Sequence, residues 1–397
     1  MRIVSTSRSI RRSAVISGLG QSKIGRRLTE SPYQLTMDAI LAAIDDAGLN
    51  PSDIDGLATF PGPGEELNPG FSGPDLYDVQ DGLGLELNWH LATSQGPAQF
   101  LSLFSALAAA SFGMCRHAVV YRTTNEASAQ GGPRRGHDEM IKQAAGPLAW
   151  LFAGGAVSPT NFASFYFQRH MHEFGTSKEQ LGWLAITERA HAARNPDAIL
   201  TKPLSMDEYL SSRTISSPLS LYDCDITVDG SCAVVVSARD TVSDLKQWVE
   251  VEAVGGAMRH RPLWEQWPDL TTMATHDAAA QMWSMTSLKP ADVDVAQVYD
   301  AFSPFALFWL EALGFCGPGE SGPYVEGGGR ISLGGDLPLN TFGGQLSGGR
   351  MHGWGFLAEA IRQLRSEAGD RQVKNVDVAV VGVGGGASAS SLLLTRS

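Results

Sequence analysis

Long apolar runs are missing from this 397-residue chain. Nowhere do about 18 apolar residues follow one another, so no membrane-crossing helix is expected. Cysteine is scarce: Cys115, Cys224, Cys232 and Cys316 occur without CxxC spacing. That argues against a disulfide framework or a zinc site and fits reduced thiols in a cytoplasmic enzyme. Basic charge is short too. Lys and Arg number 30 against 42 Asp and Glu, for a formal net charge of -12, and no basic tract offsets it. A nucleic-acid partner is therefore not expected. The opening "MRIVSTSRSIRRSAVISG" has arginines but no apolar stretch long enough for a signal peptide. What remains is an ordinary globular balance, 43% hydrophobic and 18% charged, in a chain long enough for two domains or one large layered domain.

A weak internal repeat organises the chain. "MDAILAAIDDAGLNPSDIDGLATF" reads as a helix, a break and a short strand. Ala39, Ile40, Ala43, Ile44 and Ala47 fall at helical spacing, Gly48 suits a C-cap, and Pro51 follows. "HDAAAQMWSMTSLKPADVDVAQVYDAF" repeats the pattern, with "KPADVD" matching "NPSDID". A helix then a strand also recurs in "QFLSLFSALAAASFGMCRHAVVYR" and in "GFLAEAIRQLRSEAGDRQVKNVDVAVVGVGGG". The strands lack alternation, which predicts burial on both faces. The expected organisation is an α/β protein of two related halves, 1–245 and 246–397. A loop region at about 123–215 is inserted in the first, and each half carries a sheet flanked by helices.

Glycine is the abundant residue, at 44. It crowds around His352 in "NTFGGQLSGGRMHGWG" (340–355) and recurs in "GVGGGAS" (382–388). The first loop could be a phosphate loop, a surface turn or a catalytic loop. It lacks the Lys-Ser/Thr pair that holds phosphate and magnesium. The second lacks the helix and ribose-binding acid of a dinucleotide fold. A catalytic loop is left, in which glycines admit backbone close to a substrate. The helix field after His352 lowers its pKa and keeps the imidazole neutral. "HMH" at 170–172 points its histidines apart on a helix, so no metal is expected.

The motifs together resemble the thiolase superfamily, and more narrowly the sterol-carrier-protein-type thiolases and their aldolase relatives in steroid side-chain breakdown. The likeness is carried by "RHMHEFGTSKEQL", "LYDCDITVDGSCAVVV", "QVYDAFSPFALFWLEALGFCGPGE" and the two glycine loops. It implies a five-layer αβαβα thiolase fold and a dimer. Thiolases use two cysteines. Here the nucleophile position reads "ATSQGPAQFL", with Thr93 or Ser94, and Val381–Val383 occupy the second position. Ser94 is then a pocket-lining residue, or a nucleophile if a base attends it.

The resemblance turns toward the aldolases at Tyr299 of "YDAFS". A retro-aldol cleavage removes a β-hydroxyl proton and needs no acyl-enzyme. A buried tyrosine can serve as phenolate or relay if a neighbour lowers its pKa. Asp300 either joins it or caps the following helix, for which Ser303–Pro304 is a competing start. His352 is expected to offer a neutral N–H to the thioester oxygen, beside backbone from Gly384 and Gly385. Arg350 departs from the relatives, which often carry tyrosine there. It could tune Tyr299, bind a substrate carbonyl, or pair with Asp300 or Glu359. Arg134 and Arg135 either meet CoA phosphates or lie in a solvated loop. The implied function is an aldolase acting on a steroid or bile-acid β-hydroxyacyl-CoA. Its implied partner is an OB-fold protein associated with an enoyl-CoA hydratase, and no cofactor is needed beyond the substrate's CoA. A thiolase-like acyltransferase and a non-catalytic acyl-CoA or lipid scaffold are the alternatives.

Overall fold

The computed structural model describes residues 13–62, 69–93, 98–130, 147–259 and 268–397. The strands are β1 (Ala14–Gln21), β2 (Gly56–Thr59), β3 (Trp89–Ala92), β4 (His117–Asn125), β5 (Thr214–Ser216), β6 (Leu219–Ser220), β7 (Asp229–Ala238), β8 (Val249–Met258), β9 (Val295–Val298), β10 (Val378–Gly385) and β11 (Ser388–Arg396). The helices that matter here are α1 (Pro32–Ala47), α2 (Leu101–Ser111), α3 (Glu126–Ala129), α4 (Pro159–Phe174), α5 (Lys178–Ala192), α6 (Ala274–Trp283), α7 (Ser303–Ala312) and α8 (Trp354–Arg365). None of the described helices is long and apolar enough to cross a membrane.

Local chemistry fixes α1 at both ends. The Ser31 hydroxyl accepts from the Gln34 N–H, Pro32 opens the helix, and Gly48 closes it at φ 78°. The face expected from the sequence, Ala39, Ile40, Ala43, Ile44 and Ala47, is buried. The internal repeat is real structure. Pro51–Asp53 and Pro290–Asp292 each form one tight 3-10 turn before a four-residue strand. In each the turn's aspartate accepts from the backbone N–H three residues back, Asn50 or Lys289, at 2.8 Å.

Nine strands make one mixed sheet in the order β3-β2-β4-β7-β1-β8-β11-β10-β9. The two sheets expected from the repeat are joined rather than separate. Val249 and Glu250, which open β8, pair with Ile16 and Val15 of β1 while also pairing with β11. The layers are nonetheless those of a helix–sheet–helix–sheet–helix stack. On one face of the first half, Val119, Tyr121, Ala233 and Val235 meet α1. On the other, Ala118, Val120, Val234 and Val236 belong to the central core with Leu103 and Ala106 of α2. Helices α2 and α8 occupy the middle, α8 packing on β9, β10 and β11 and reaching β7 and β8, and α6 covers β8 and β11 outside. Within the inserted region, α4 and α5 are regular helices packed on α7.

The α1–β1 contact is made at backbone distance. A Cβ at Gly18 would lie 2.1 Å from the Ala43 carbonyl oxygen, and one at Gly20 would lie 2.0 Å from that of Ala39. Gly18→Ala should therefore push α1 off the sheet and lower stability by about 3 kcal/mol. Urea unfolding measures this, and an unchanged midpoint would refute the close approach.

Candidate active site

The loop expected to be catalytic is anchored at its start by one side chain acting as a strand. Asn340, at φ 49°, accepts from the Val298 N–H with its side-chain oxygen (2.7 Å). Its amide donates to the Val298 carbonyl (2.9 Å) and to Glu188 (2.7 Å). The chain then makes a wide turn over Gly344–Gly348. Gly344 is required there: its φ is 59°, and a Cβ would lie 2.1 Å from Asp300 Oδ2.

Asp300 does not cap α7. Its carboxylate faces the glycine loop and accepts the Gln345 N–H at 2.9 and 3.0 Å and the Leu346 N–H at 3.3 Å. The helix starts after Phe302 without a side-chain cap, and the Ser303 hydroxyl donates to Asp223 (2.7 Å) instead. Behind Asp300 lies Glu188, fully buried. Burial, then the Asp300 charge, drive the Glu188 carboxyl well above its usual range. Burial also raises Asp300, to about 6. Glu188 thus keeps a proton and shares it with Asp300. The pair holds the loop from beneath.

Arg350 pairs with neither Asp300 nor Glu359; the latter is held by Arg371 at 3.0 Å. Its Nε and one terminal nitrogen grip the two Glu126 oxygens at 3.0 and 2.9 Å, and the other nitrogen reaches Asp225 at 2.9 Å. Backbone bonds bring these partners together. The Arg350 N–H donates to Ile226 O (2.8 Å), Ile226 N–H to Gln345 O (3.2 Å), and Asp225 N–H to Ala301 O (3.0 Å). Glu126 opens α3 directly after β4. Asp229 secures that turn by accepting the Ser128 N–H (2.9 Å) and hydroxyl (2.7 Å).

Glu126 is also the partner of His352, whose Nε2 lies 2.7 Å from its Oε2. Burial alone would raise Glu126, but His352, Arg350 and Arg122 hold the carboxyl at about 2. His352 is lowered to about 4, chiefly by burial, with Arg122 and Arg350 adding to it and Glu126 opposing. The neutral imidazole was expected, although burial rather than the helix field is the main cause. A neutral ring has one N–H, and an ionised Glu126 takes it at Nε2, which leaves Nδ1 an acceptor. The expected N–H for a thioester oxygen is therefore already committed. The ring is held further by the edge of Phe71, with centroids 4.6 Å apart, and Arg122 stacks on Phe71 at 4.5 Å.

Asp225 shares Arg350 but fares differently. Burial raises it to about 7, Arg350 opposes, and Glu126 and Asp300 add repulsion. Tyr299 is buried against this group. Its backbone N–H bonds Gly382 O (2.9 Å). Burial first, then Asp225, push the phenol above its ordinary value, against the pull of Arg350 and of Gln345 beside the hydroxyl. The neighbours do not produce the lowered pKa that a resting phenolate requires, so Tyr299 is a protonated phenol.

The second glycine loop is the β10–β11 hairpin turn. Gly384, at φ 84°, gives its carbonyl to the Trp309 indole (3.0 Å), and Gly385 pairs with Ser388. It touches the first loop: a Cβ at Gly353 would lie 2.8 Å from Val383 and 3.6 Å from Gln99, just before α2. Ser94, Arg134 and Arg135 lie outside the described residues. Of the "HMH" pair, His170 is buried between Glu311 (2.9 Å) and Thr176 (2.8 Å), whereas His172 is exposed. Sequence reasoning missed Glu126 and Asp225. The available signal was an acidic residue at each end of an apolar strand system, in "TTNEAS" and "YDCDITVDG".

Residues 255–396 match the family described as thiolase C-terminal domain-like. The chain is 32% identical to a steroid side-chain-cleaving aldolase of Thermomonospora curvata, covering 96% of this chain and 97% of that one. It is also 32% identical to the 17-hydroxy-3-oxo-4-pregnene-20-carboxyl-CoA lyase of Mycobacterium tuberculosis, over 96% and 98% of the two chains. The solved Ltp2-ChsH2(DUF35) aldolase superposes with a TM-score of 0.86 at 32% identity, over 98% of this chain and 99% of that one.

The Glu188–Asp300 pair has a measurable signature. Folded Glu188 holds a proton that the unfolded chain releases near pH 4.5, so its contribution to stability falls as pH rises above that value. Glu188→Gln keeps a donor for Asp300 without needing a proton. Its melting temperature should gain on the wild type as pH rises above about 4.5. Parallel melting curves across that range would remove the shared proton from the account.

Proposed function

Because the chain belongs to the thiolase superfamily, in the branch of the steroid side-chain-cleaving aldolases, we propose that it cleaves a β-hydroxyacyl-CoA by a retro-aldol reaction. The substrate is a 17-hydroxysteroid or bile-acid side-chain thioester, and the products are a ketone and a shortened acyl-CoA. The observation that carries this reading is a site with acid and base groups but no usable thiol. Burial pushes all four cysteines, Cys115, Cys224, Cys232 and Cys316, up to about 12. The thiolate is the nucleophilic form of cysteine, and burial disfavours it at each of the four. A retro-aldol cleavage requires only proton movement and stabilisation of an enolate.

Tyr299 meets the β-hydroxyl. As the Cα–Cβ bond breaks, negative charge moves to the thioester oxygen. Guanidinium has five N–H donors, and Arg350 commits three of them to Glu126 and Asp225. The remaining two are suited to that oxygen, in the role expected of the His352 N–H. His352 then orders the loop through Glu126, and the backbone of Gly384 and Gly385 lines the pocket. Ser94 is a wall residue in this reading. CoA enters as part of the substrate, and no other cofactor is invoked. A second copy of the chain and an OB-fold partner like the DUF35 component of the Ltp2-ChsH2 aldolase complete the assembly. An associated enoyl-CoA hydratase would supply the β-hydroxyacyl-CoA, in the cytoplasm.

The test is ketone and acyl-CoA release from a 17-hydroxysteroid acyl-CoA by the complex with its partner. Tyr299→Phe should lower kcat about 10²- to 10⁴-fold with little change in KM. Arg350→Lys keeps the charge but loses the fork and should lower kcat too. Activity that survives both changes would exclude this site, and turnover of other acyl-CoAs with none of the hydroxysteroid would exclude the reaction.

A further inference from the structure

We propose that Ser303, gripped by the buried Asp223 carboxylate, is a positioning residue: its hydroxyl sets where Tyr299 stands relative to Arg350. This rests on the aldolase reading above and deepens it. Proton transfer between Tyr299 and a β-hydroxyl tolerates little misplacement, and a shift of about 1 Å can cost about 10²-fold in rate. Tyr299 must therefore be held from both ends. One end is fixed by its own N–H on Gly382 O of β10, at 2.9 Å. The other runs through Asp300, Ala301 and Phe302 to Ser303, the first residue of α7.

Asp223 is fully buried, and both of its oxygens are engaged. Oδ2 accepts from the Lys178 ammonium, from the Ser220 N–H (2.7 Å) and from the Ser220 hydroxyl (3.0 Å). Oδ1 accepts from the Tyr209 hydroxyl and from the Ser303 hydroxyl (2.7 Å). Lys178 opens α5, Tyr209 lies in the short helix Met206–Leu210, and Ser220 ends β6. One carboxylate thus ties α7 to three separate elements. A buried charge that is paired and hydrogen-bonded on both oxygens is costly to displace. Its negative sign also suits the start of α7, which has no side-chain cap.

The chain that follows Asp223 carries this anchorage into the site. Cys224 forms an antiparallel bridge with Phe302, and the Asp225 N–H donates to Ala301 O at 3.0 Å. With Asp223 on Ser303, residues 223–225 run antiparallel to 301–303 in unbroken register. The same chain then turns to the glycine loop. The Ile226 N–H donates to Gln345 O (3.2 Å), the Arg350 N–H donates to Ile226 O (2.8 Å), and Thr227 bridges to Arg350. Residues 223–227 are therefore a seam, with the Tyr299 segment along one edge and the Arg350 segment along the other. Loss of the Ser303 hydroxyl frees the first turn of α7 from the seam, and Tyr299 with it, while Arg350 stays in place.

Ser303 acts through Tyr299, so the test must separate position from stability. In the complex with its partner, and with a 17-hydroxysteroid acyl-CoA as probe, Ser303→Ala should lower kcat about 10- to 10²-fold with KM little changed. Tyr209→Phe removes a hydroxyl from the same Asp223 oxygen but touches nothing in the Tyr299 segment. It should lower the melting temperature as Ser303→Ala does and leave kcat within about twofold of wild type. Ser303→Cys keeps the volume with a weak donor, and its kcat should fall between wild type and Ser303→Ala. Equal kcat in wild type and Ser303→Ala, or equal losses of kcat in Ser303→Ala and Tyr209→Phe, would reduce the Asp223 cluster to a stability clamp. Either result would overturn the positioning role while leaving the aldolase intact. Should Ser303→Ala not fold, a wild-type kcat in Ser303→Cys would overturn it. Absence of ketone from the wild type would overturn the aldolase reading itself, and the positioning role with it.

Discussion

One guanidinium divided unequally between two carboxylates governs this site. Arg350 gives Glu126 a two-pronged grip and Asp225 a single bond. Glu126 adds His352 and Gln130 to its donors, whereas one oxygen of Asp225 has none. Two acids of the same chemistry are thereby separated, one ionised at any ordinary pH and the other balanced near neutrality. Environments that drive like groups apart are how a protein obtains an acid and a base from one residue type.

The scaffold's part is to bring these charges together across great distances in the chain. Glu126 directly follows a strand of the first half, Asp225 leads into another, and Tyr299 and Arg350 come from the second half. The glycine loop is fixed to β9 by Asn340 and to Asp300 by backbone N–H groups. His352 is held at φ 47°, in the left-handed region that residues other than glycine seldom adopt. Phe71 and Glu126 maintain it from two directions.

The sequence was legible wherever periodicity or a short motif carried the information. The α1 face, its Gly48 cap and the twin "NPSDID"/"KPADVD" turns required only neighbouring residues. Strand burial followed from the absence of alternation. The joined sheet was not legible, because the β1–β8 junction is two residue pairs between segments over two hundred positions apart. Glu126 escaped for the same reason. It lies 224 positions from Arg350 and inside what read as a polar insertion. Tyr299, His352 and Arg350 were visible through their motifs, yet their protonation was not. A pKa depends on burial and on charges that only the fold assembles, and here burial overrode the neighbours at Tyr299.

The foundation of the glycine loop has a thermodynamic echo. Glu188 and Asp300 lie together with no cation between them, so their counter-ion is a hydrogen ion. Folding near neutral pH must then draw that ion from solution. The heat of folding will include the ionisation heat of whichever buffer supplies it, and will differ between phosphate and Tris although the structure formed is the same.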